Sequence, residues 1–350
     1  MSELGELFTL TAAMAILAGA IRIATPLLLA ALGEAVSERA GVLNVGIEGL
    51  MALGALSGFV TAYWTGNLWL GFGAALVAGV LGSLIFGTMT VLWGSDQVAT
   101  GIVMNLFCFG LANLVYRSLF AGARDIPSIS SMRTYRIPVL SDLDYVGRAL
   151  FSHTPIVYIA FLLVPVVWFL LQRSVWGLSV RAAGENPAAA DTAGIDVWRV
   201  RLAAVAVGGA FAGVAGATLS IAQLGSYLDS MTAGRGFVAL AVVVFGGWNP
   251  WRIAGASLIF GGAEALQLRM QATGVPIPSA FLVAIPYVLT IIVITVFAGK
   301  AAYPAAINVP YLRRTIHKRR RAAARTQAAA PPSLPDVPGA GRQVVSANQA

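Results

Sequence analysis

Charge is scarce in this chain. Of its 350 residues 11% are Asp, Glu, Lys or Arg, where an average soluble domain carries roughly 25%. A soluble fold of this length needs charge to wet its surface, so the shortage excludes a soluble enzyme. There is one cysteine, Cys108, in the apolar run GIVMNLFCFGLANLV, and there are two histidines. A single thiol forms no internal disulfide and no metal site, and no metal is expected. The N-terminus lacks a basic stretch followed by an A-x-A site, and no cleaved signal peptide is expected. What is abundant is apolar: 58% of residues are hydrophobic, 38 are glycine, and mean hydropathy is +0.79. The class that remains is an all-α, polytopic bundle of transmembrane helices.

The net charge of +8 is local. From Lys300 onward there are nine Lys and Arg against Asp336 alone, while the preceding residues hold fourteen of each sign. Residues 313–350 are rich in Ala, Pro, Arg and Gln and read as a disordered basic tail lying against anionic headgroups. A nucleic-acid role is not expected of it.

About 20 apolar residues cross the roughly 30 Å hydrocarbon core. Continuous candidates are 68–93, 97–120, 155–172, 202–223 and 278–298. Less regular ones are 9–33 with Arg22 and Pro26, 42–63 with Asn44 and Glu48, 235–247, and 252–270 with Glu264. The total is eight to ten spans, the N-terminal segment fitting one span or two. LNVGIEGLMALGA and GRGFVALAVVVFGGWNP both begin with glycine and polar groups and then run apolar. Such segments read either as helices broken inside the membrane or as close helix packing through glycine.

Basic residues set the expected orientation. The tail places the C-terminus in the cytoplasm, and counting back places 173–201 there too, with Arg173, Arg181, Arg199 and Arg201. Gly94–Asp96 and Glu34–Arg39 fall on the same side, and 121–154 forms an external loop. Within 173–201, Asn186 is a good helix N-cap, Pro187 suits the first helical position, and Gly194 suits a left-handed stop. These signals predict a surface helix of about seven residues. A helix this short is marginal alone, so it reads either as a docking element or as an ordinary connection.

Three segments carry a resemblance: SERAGVLNVGIEGLMALGA (37–55), RAAGENPAAADTAGIDVWRVR (181–201) and GSYLDSMTAGRGFVALAVVVFGGWNP (225–250). In this order they resemble the inner-membrane permeases of binding-protein-dependent ABC importers serving ribose, branched-chain amino acids and nucleosides. Within these the chain resembles the shorter of two permeases in nucleoside (guanosine/uridine-type) importers, often described as simple sugar transport permeases. The likeness covers roughly residues 10–300. It implies a 1–312 permease domain in a bacterial cytoplasmic membrane, with a second homologous permease, an external substrate-binding lipoprotein and a separate ATPase as partners. No G-x-x-x-x-G-K-[ST] phosphate loop occurs in the chain, so no cofactor is expected on it and ATP with magnesium belongs to the ATPase.

The resemblance makes Gly184 to Ile195 the coupling helix. Arg181, Glu185 and Asp191 would be rim contacts of the ATPase cleft, and Ala188, Ala189 and Ile195 would pack into it. Gly184, Asn186, Pro187 and Gly194 shape the element. Polar groups that hydrocarbon would not tolerate without a role mark a candidate substrate path: Asn44, Glu48, Asn105, Asn113, Gln223 and Arg235. Asn105 and Asn113 fit interhelical hydrogen bonds equally well, and Glu48, Glu264 and Arg235 fit an interhelical ion pair. A neutral nucleoside or sugar suits a path lined by amides. Intramembrane carboxylates also leave open an ion-coupled secondary transporter, although such a protein would have no use for a coupling helix.

Overall fold

The longest apolar runs become the longest helices. The computed structural model describes residues 10–122, 125–136, 146–273, 278–297 and 303–311; the expected basic tail, 313–350, lies outside them. In chain order the helices are α1 Leu10–Arg39, α2 Ile47–Thr65, α3 Leu68–Gly87 and α4 Gln97–Phe120. Then follow α5 Val146–Phe151, α6 Pro155–Arg173, α7 Val175–Glu185, α8 Pro187–Thr192 and α9 Val197–Ala217. The last three are α10 Arg235–Gly246, α11 Pro250–Ala272 and α12 Ser279–Phe297. Wider π turns extend α3 through Thr88–Leu92 and α9 through Thr218–Leu224. Two-residue strands, β1 Tyr135–Arg136 and β2 Ser152–His153, pair antiparallel within the expected external loop.

Among the described residues, six helices are long and apolar enough to cross a membrane: α1, α2, α3, α4, α6 and α9. Helices α11 and α12 have 23 and 19 residues, and α10 has only 12. The N-terminal segment is one helix of 30 residues in spite of Pro26. Proline carries no N–H, so the carbonyl of Arg22, four residues earlier, has no helical donor. The side-chain amide of Gln223 donates to it at 2.9 Å.

Helix α9 lies at the centre, packed against α1, α2 and α3. Glycines let these backbones touch. A Cβ on Gly79 would strike the carbonyl of Gly209, one on Gly213 that of Ala75, and one on Gly216 that of Met51. Close backbone approach of this kind replaces the hydrophobic drive that lipid cannot supply between helices. Leucines 28, 29 and 32, Met51, Phe59 and Ile221 fill the surrounding core. The outer faces of α4 (Val103, Leu106, Leu114) and α6 (Leu162, Phe169) are apolar and exposed, as helices facing hydrocarbon should be.

The two ends of the bundle collect distinct segments. At one end Arg39, Gly41, Leu43, Gln97, Gly184, Arg201 and residues 303–311 come together. At the other, Ser128 bridges Ser226 and the Ile129 N–H donates to the Gly225 carbonyl at 2.8 Å. The segments expected on one membrane face are thus grouped at one end.

The stretch 173–201 is more ordered than a loop with one short helix. An 11-residue helix, α7, precedes the expected one, and its first turn is capped by Ser174, whose hydroxyl accepts from the Gly177 N–H at 2.9 Å.

Candidate functional site

The chain turns between α1 and α2 through Ala40–Gly46, with Gly41 at φ +87°. Helix α2 therefore begins away from the end of the bundle, and its first N–H groups need partners that water would otherwise provide. Side chains from distant helices supply them. The Asn105 side chain of α4 accepts from the Gly49 N–H at 2.7 Å and donates to the Val45 carbonyl at 2.9 Å. Gln97 accepts from the Leu43 N–H at 2.8 Å, and Glu34 from the Asn44 N–H at 2.8 Å. Asn44 folds back to accept from the Gly46 N–H at 3.0 Å. Glu34 Oε2 and Asn44 Nδ2 are buried without a hydrogen-bond partner.

Glu48, 2% exposed, joins this break to the second one. Its carboxylate accepts from the N–H groups of Gly234 and Gly236, at 2.7 and 2.5 Å, which open α10. Glu48 also sits in the first turn of α2, so one negative charge lies between two helix N-termini, each bearing partial positive charge. Gly236 leaves no room to spare: a Cβ there would sit 2.7 Å from the Glu48 Cα.

Helix α10 has 12 residues and spans about 18 Å, roughly half a membrane. Its N-terminus therefore opens at depth. Arg235 reaches across to Glu264 of α11 at 2.5 Å and donates to the Met231 carbonyl at 3.1 Å. The expected ion pair thus joins Arg235 and Glu264, and Glu48 takes no part in it. Beside the pair, between α1, α10, α11 and α12, lies a cavity of about 150 Å³. At its other end α10 closes through two left-handed residues, Gly247 at φ +58° and Trp248 at φ +56°. The fully buried Trp248 donates to Glu38 of α1, and Arg39 lies 5.9 Å from its ring centre.

The short helix α8 has the expected caps. The Asn186 side chain accepts from the Ala189 N–H at 3.0 Å, Pro187 is the first helical residue, and Gly194 has φ +88°. Ala188, Ala189, Thr192, Ala193 and Gly194 are exposed, as are Glu185 and Asn186. Two expected contacts are otherwise engaged. Ile195 packs inside the chain against the cluster of Ala183, Ala190 and Val197, and Asp191 accepts from the Tyr311 hydroxyl at 2.9 Å.

Residues 303–311 form a strap over this end. Ala306 N–H donates to the Gly184 carbonyl at 2.8 Å and Ala305 N–H to Glu185 at 3.4 Å. Trp198 donates to the Tyr311 carbonyl at 3.1 Å. Arg201, 1% exposed, donates to the carbonyls of Val309 at 2.9 Å and Ala183 at 3.2 Å. Tyr303 packs edge-on against Trp248 at 4.9 Å. Burial, with the Glu38 charge nearby, pushes its hydroxyl above the ordinary tyrosine range. The strap thus touches both the short helix and the far end of α10.

Of the candidate path residues, Asn44, Glu48, Asn105 and Arg235 gather around the two breaks. Gln223 serves the proline-freed carbonyl of α1, and Asn113 is half-buried farther along α4. Glu34, Glu38, Arg201, Trp248 and Tyr311, outside the candidate path, also carry much of the network. Arg201 reads in sequence as one more loop arginine. Only its position among apolar residues, VRLAAVAVGG, hints that it is enclosed.

The comparisons agree with this architecture. The family model described as branched-chain amino acid transport system / permease component matches residues 12–297. TsgC13 of Haloferax volcanii, named provisionally as a glucose ABC transporter permease protein, is 43% identical over 74% of this chain and 78% of its own. The guanosine ABC transporter permease protein NupQ of Bacillus subtilis is 35% identical, over 83% of this chain and 94% of its own. The nucleoside ABC transporter permease protein NupC of Lactococcus lactis subsp. cremoris is 36% identical, over 85% and 96%. No solved structure is matched.

Proposed function

The chain belongs to the permease-component family of the branched-chain amino acid transport system, and from that premise we propose that it is the membrane subunit of an ATP-driven importer of nucleosides. It is a multi-pass membrane permease and not itself a catalyst. The proposed partners are an ATPase docked on α8, a second homologous permease, and an external binding lipoprotein that supplies selectivity. The membrane is the bacterial cytoplasmic membrane, with α8 and the C-terminus on the cytoplasmic side.

The observation that carries this reading is α8 itself. A six-residue helix has too few hydrogen bonds to persist alone, yet here it is capped at both ends and anchored through Ala190, Ile195 and Asp191. Its small side chains, Ala188 and Ala189, stay exposed. This combination suits an element that receives force from a partner and passes it inward. Energy enters as a differential preference of the ATP-bound partner for one of two bundle conformations, and the strap extends the path from α8 towards Trp248 and α10.

Deleting residues 187–193 tests the assignment. Uptake should disappear while the protein still reaches the membrane; normal ATP-driven uptake by that deletion would sink the coupling role. A sugar substrate is the second reading, favoured by the likeness to TsgC13. Binding of a nucleoside and sugar panel to the cognate external protein separates the two.

A further inference from the structure

The cavity beside the Arg235–Glu264 pair gathers an ion pair and a carboxamide around one small space. Glu264 gives one oxygen to Arg235. Arg235 Nε is buried without a partner. Gln267, one turn beyond Glu264 on the same face of α11, lines the cavity, is 9% exposed, and has no hydrogen-bond partner among the described residues. Its carboxamide therefore has hydrogen-bonding capacity to offer a molecule in the cavity. The side chains of Arg235 and Glu264 are 24% and 27% exposed. An ion pair half a membrane deep does not face lipid acyl chains.

We propose that this cavity is a transit site for one hydroxylated ring, the furanose of a nucleoside or the ring of a free sugar. Three observations lead to it. The first is charge: Arg235 and Glu264 neutralise one another, so the site favours a neutral ligand. The second is hydrogen bonding. The free Glu264 oxygen accepts, and the Gln267 amide both donates and accepts, which matches adjacent hydroxyls that each do both. The third is size. A cavity of about 150 Å³ holds a single six-membered ring, too little for a ring and a base together. Leu27, Val238 and Phe260 give the walls an apolar surface for the ring faces. The inference rests on the importer reading above and names the part of the substrate that this chain handles.

The test uses the purified full-length chain in lipid nanodiscs and saturation-transfer NMR with guanosine, guanine, 2′,3′-dideoxyguanosine, glucose and 2-deoxyglucose. Saturation should reach the ring protons of guanosine or glucose. Gln267→Leu should weaken binding about tenfold, the loss expected for one hydrogen-bonding group. Val283→Phe, which fills the cavity and leaves its polar groups in place, should abolish binding and covers the case in which the leucine variant fails to fold. Preference for guanosine over glucose identifies a nucleoside ring as the ligand, and the reverse a free sugar. Equal binding of guanine and guanosine, or variants that bind like wild type, overturns the site. Uptake by the assembled importer is measured alongside. Normal ring binding with no ATP-dependent uptake sinks the importer reading and leaves the site standing. Normal uptake with no ring binding sinks the site alone.

Discussion

The break before α2 and the break before α10 share a sequence signature, glycines beside polar side chains followed by an apolar run, but they are finished differently. At the first, side chains from α1 and α4 take up the backbone groups, and Asn105 alone makes two such bonds. At the second, Glu48 caps the helix start, while the neighbouring Arg235, Glu264 and Gln267 line a cavity. The first is built as a fixed joint and the second as a joint with an opening. The same glycine pattern therefore marks where a helix stops, and the distant polar partners decide whether the stop is sealed. Changes at the sealed break should alter stability, and changes at the open one should alter what passes.

Glu48 serves both breaks, so its loss should have the largest effect. Glu48→Ala removes two charge-assisted bonds of about 1.5–3 kcal/mol each and strands the N–H groups of Gly234 and Gly236. The expected result is a fall of several degrees or more in the midpoint of thermal unfolding in detergent, with less protein in the membrane. An unchanged midpoint would show that α10 holds its place without this cap.

At the open break, removing one member of the ion pair leaves a charge at depth. Arg235→Gln or Glu264→Gln alone should destabilise by about 1–3 kcal/mol, below the range for a fully buried pair because both side chains are partly exposed. The double variant should recover part of the loss, since no charge then remains unpaired. Additive losses in thermal unfolding would show that the two residues act independently. At the sealed break, Asn105→Leu should cost about 2 kcal/mol through two lost bonds. It should leave the preference between guanosine and its dideoxy analogue unchanged, whereas Gln267→Leu should alter it.

Much of the architecture was legible in residue patterns because a membrane helix is specified locally. Hydrocarbon length fixes how many apolar residues a span needs, and glycine with polar neighbours marks an interruption. The caps of α8 were also local, since Asn186, Pro187 and Gly194 act on their own few residues. The closure of the breaks was not local. Asn105 lies 56 positions from Gly49, and Glu48 lies 186 positions from Gly234. No spacing rule joins them, so Asn105 read equally as packing or path, and Glu48 as half of an ion pair that it does not form. Helix α7 carries no cap signal as plain as that of α8, and burial of Val180 and Ala183 against the bundle stabilises it. Gln223 had a discoverable partner in principle: a proline inside a helix always frees a carbonyl four residues back, and Pro26 frees that of Arg22.

The smallest expected effect concerns the strap, which runs from α8 to the closed end of α10. Tyr311→Phe deletes only the hydroxyl that donates to Asp191. The ring, its backbone bond from Trp198 and the Arg201 anchor on Val309 all remain. The stability change should be about 1 kcal/mol or less for a half-buried bond of this kind, close to the limit of a thermal measurement. Transport is the more informative reading. If the strap carries motion from α8, loosening its end should lower substrate moved per ATP hydrolysed while leaving ring binding in the cavity intact. If the strap is only a clamp, that ratio will match wild type. The end of the bundle that carries α8 would then reach the open joint through α1, which packs against α7, α10 and α11.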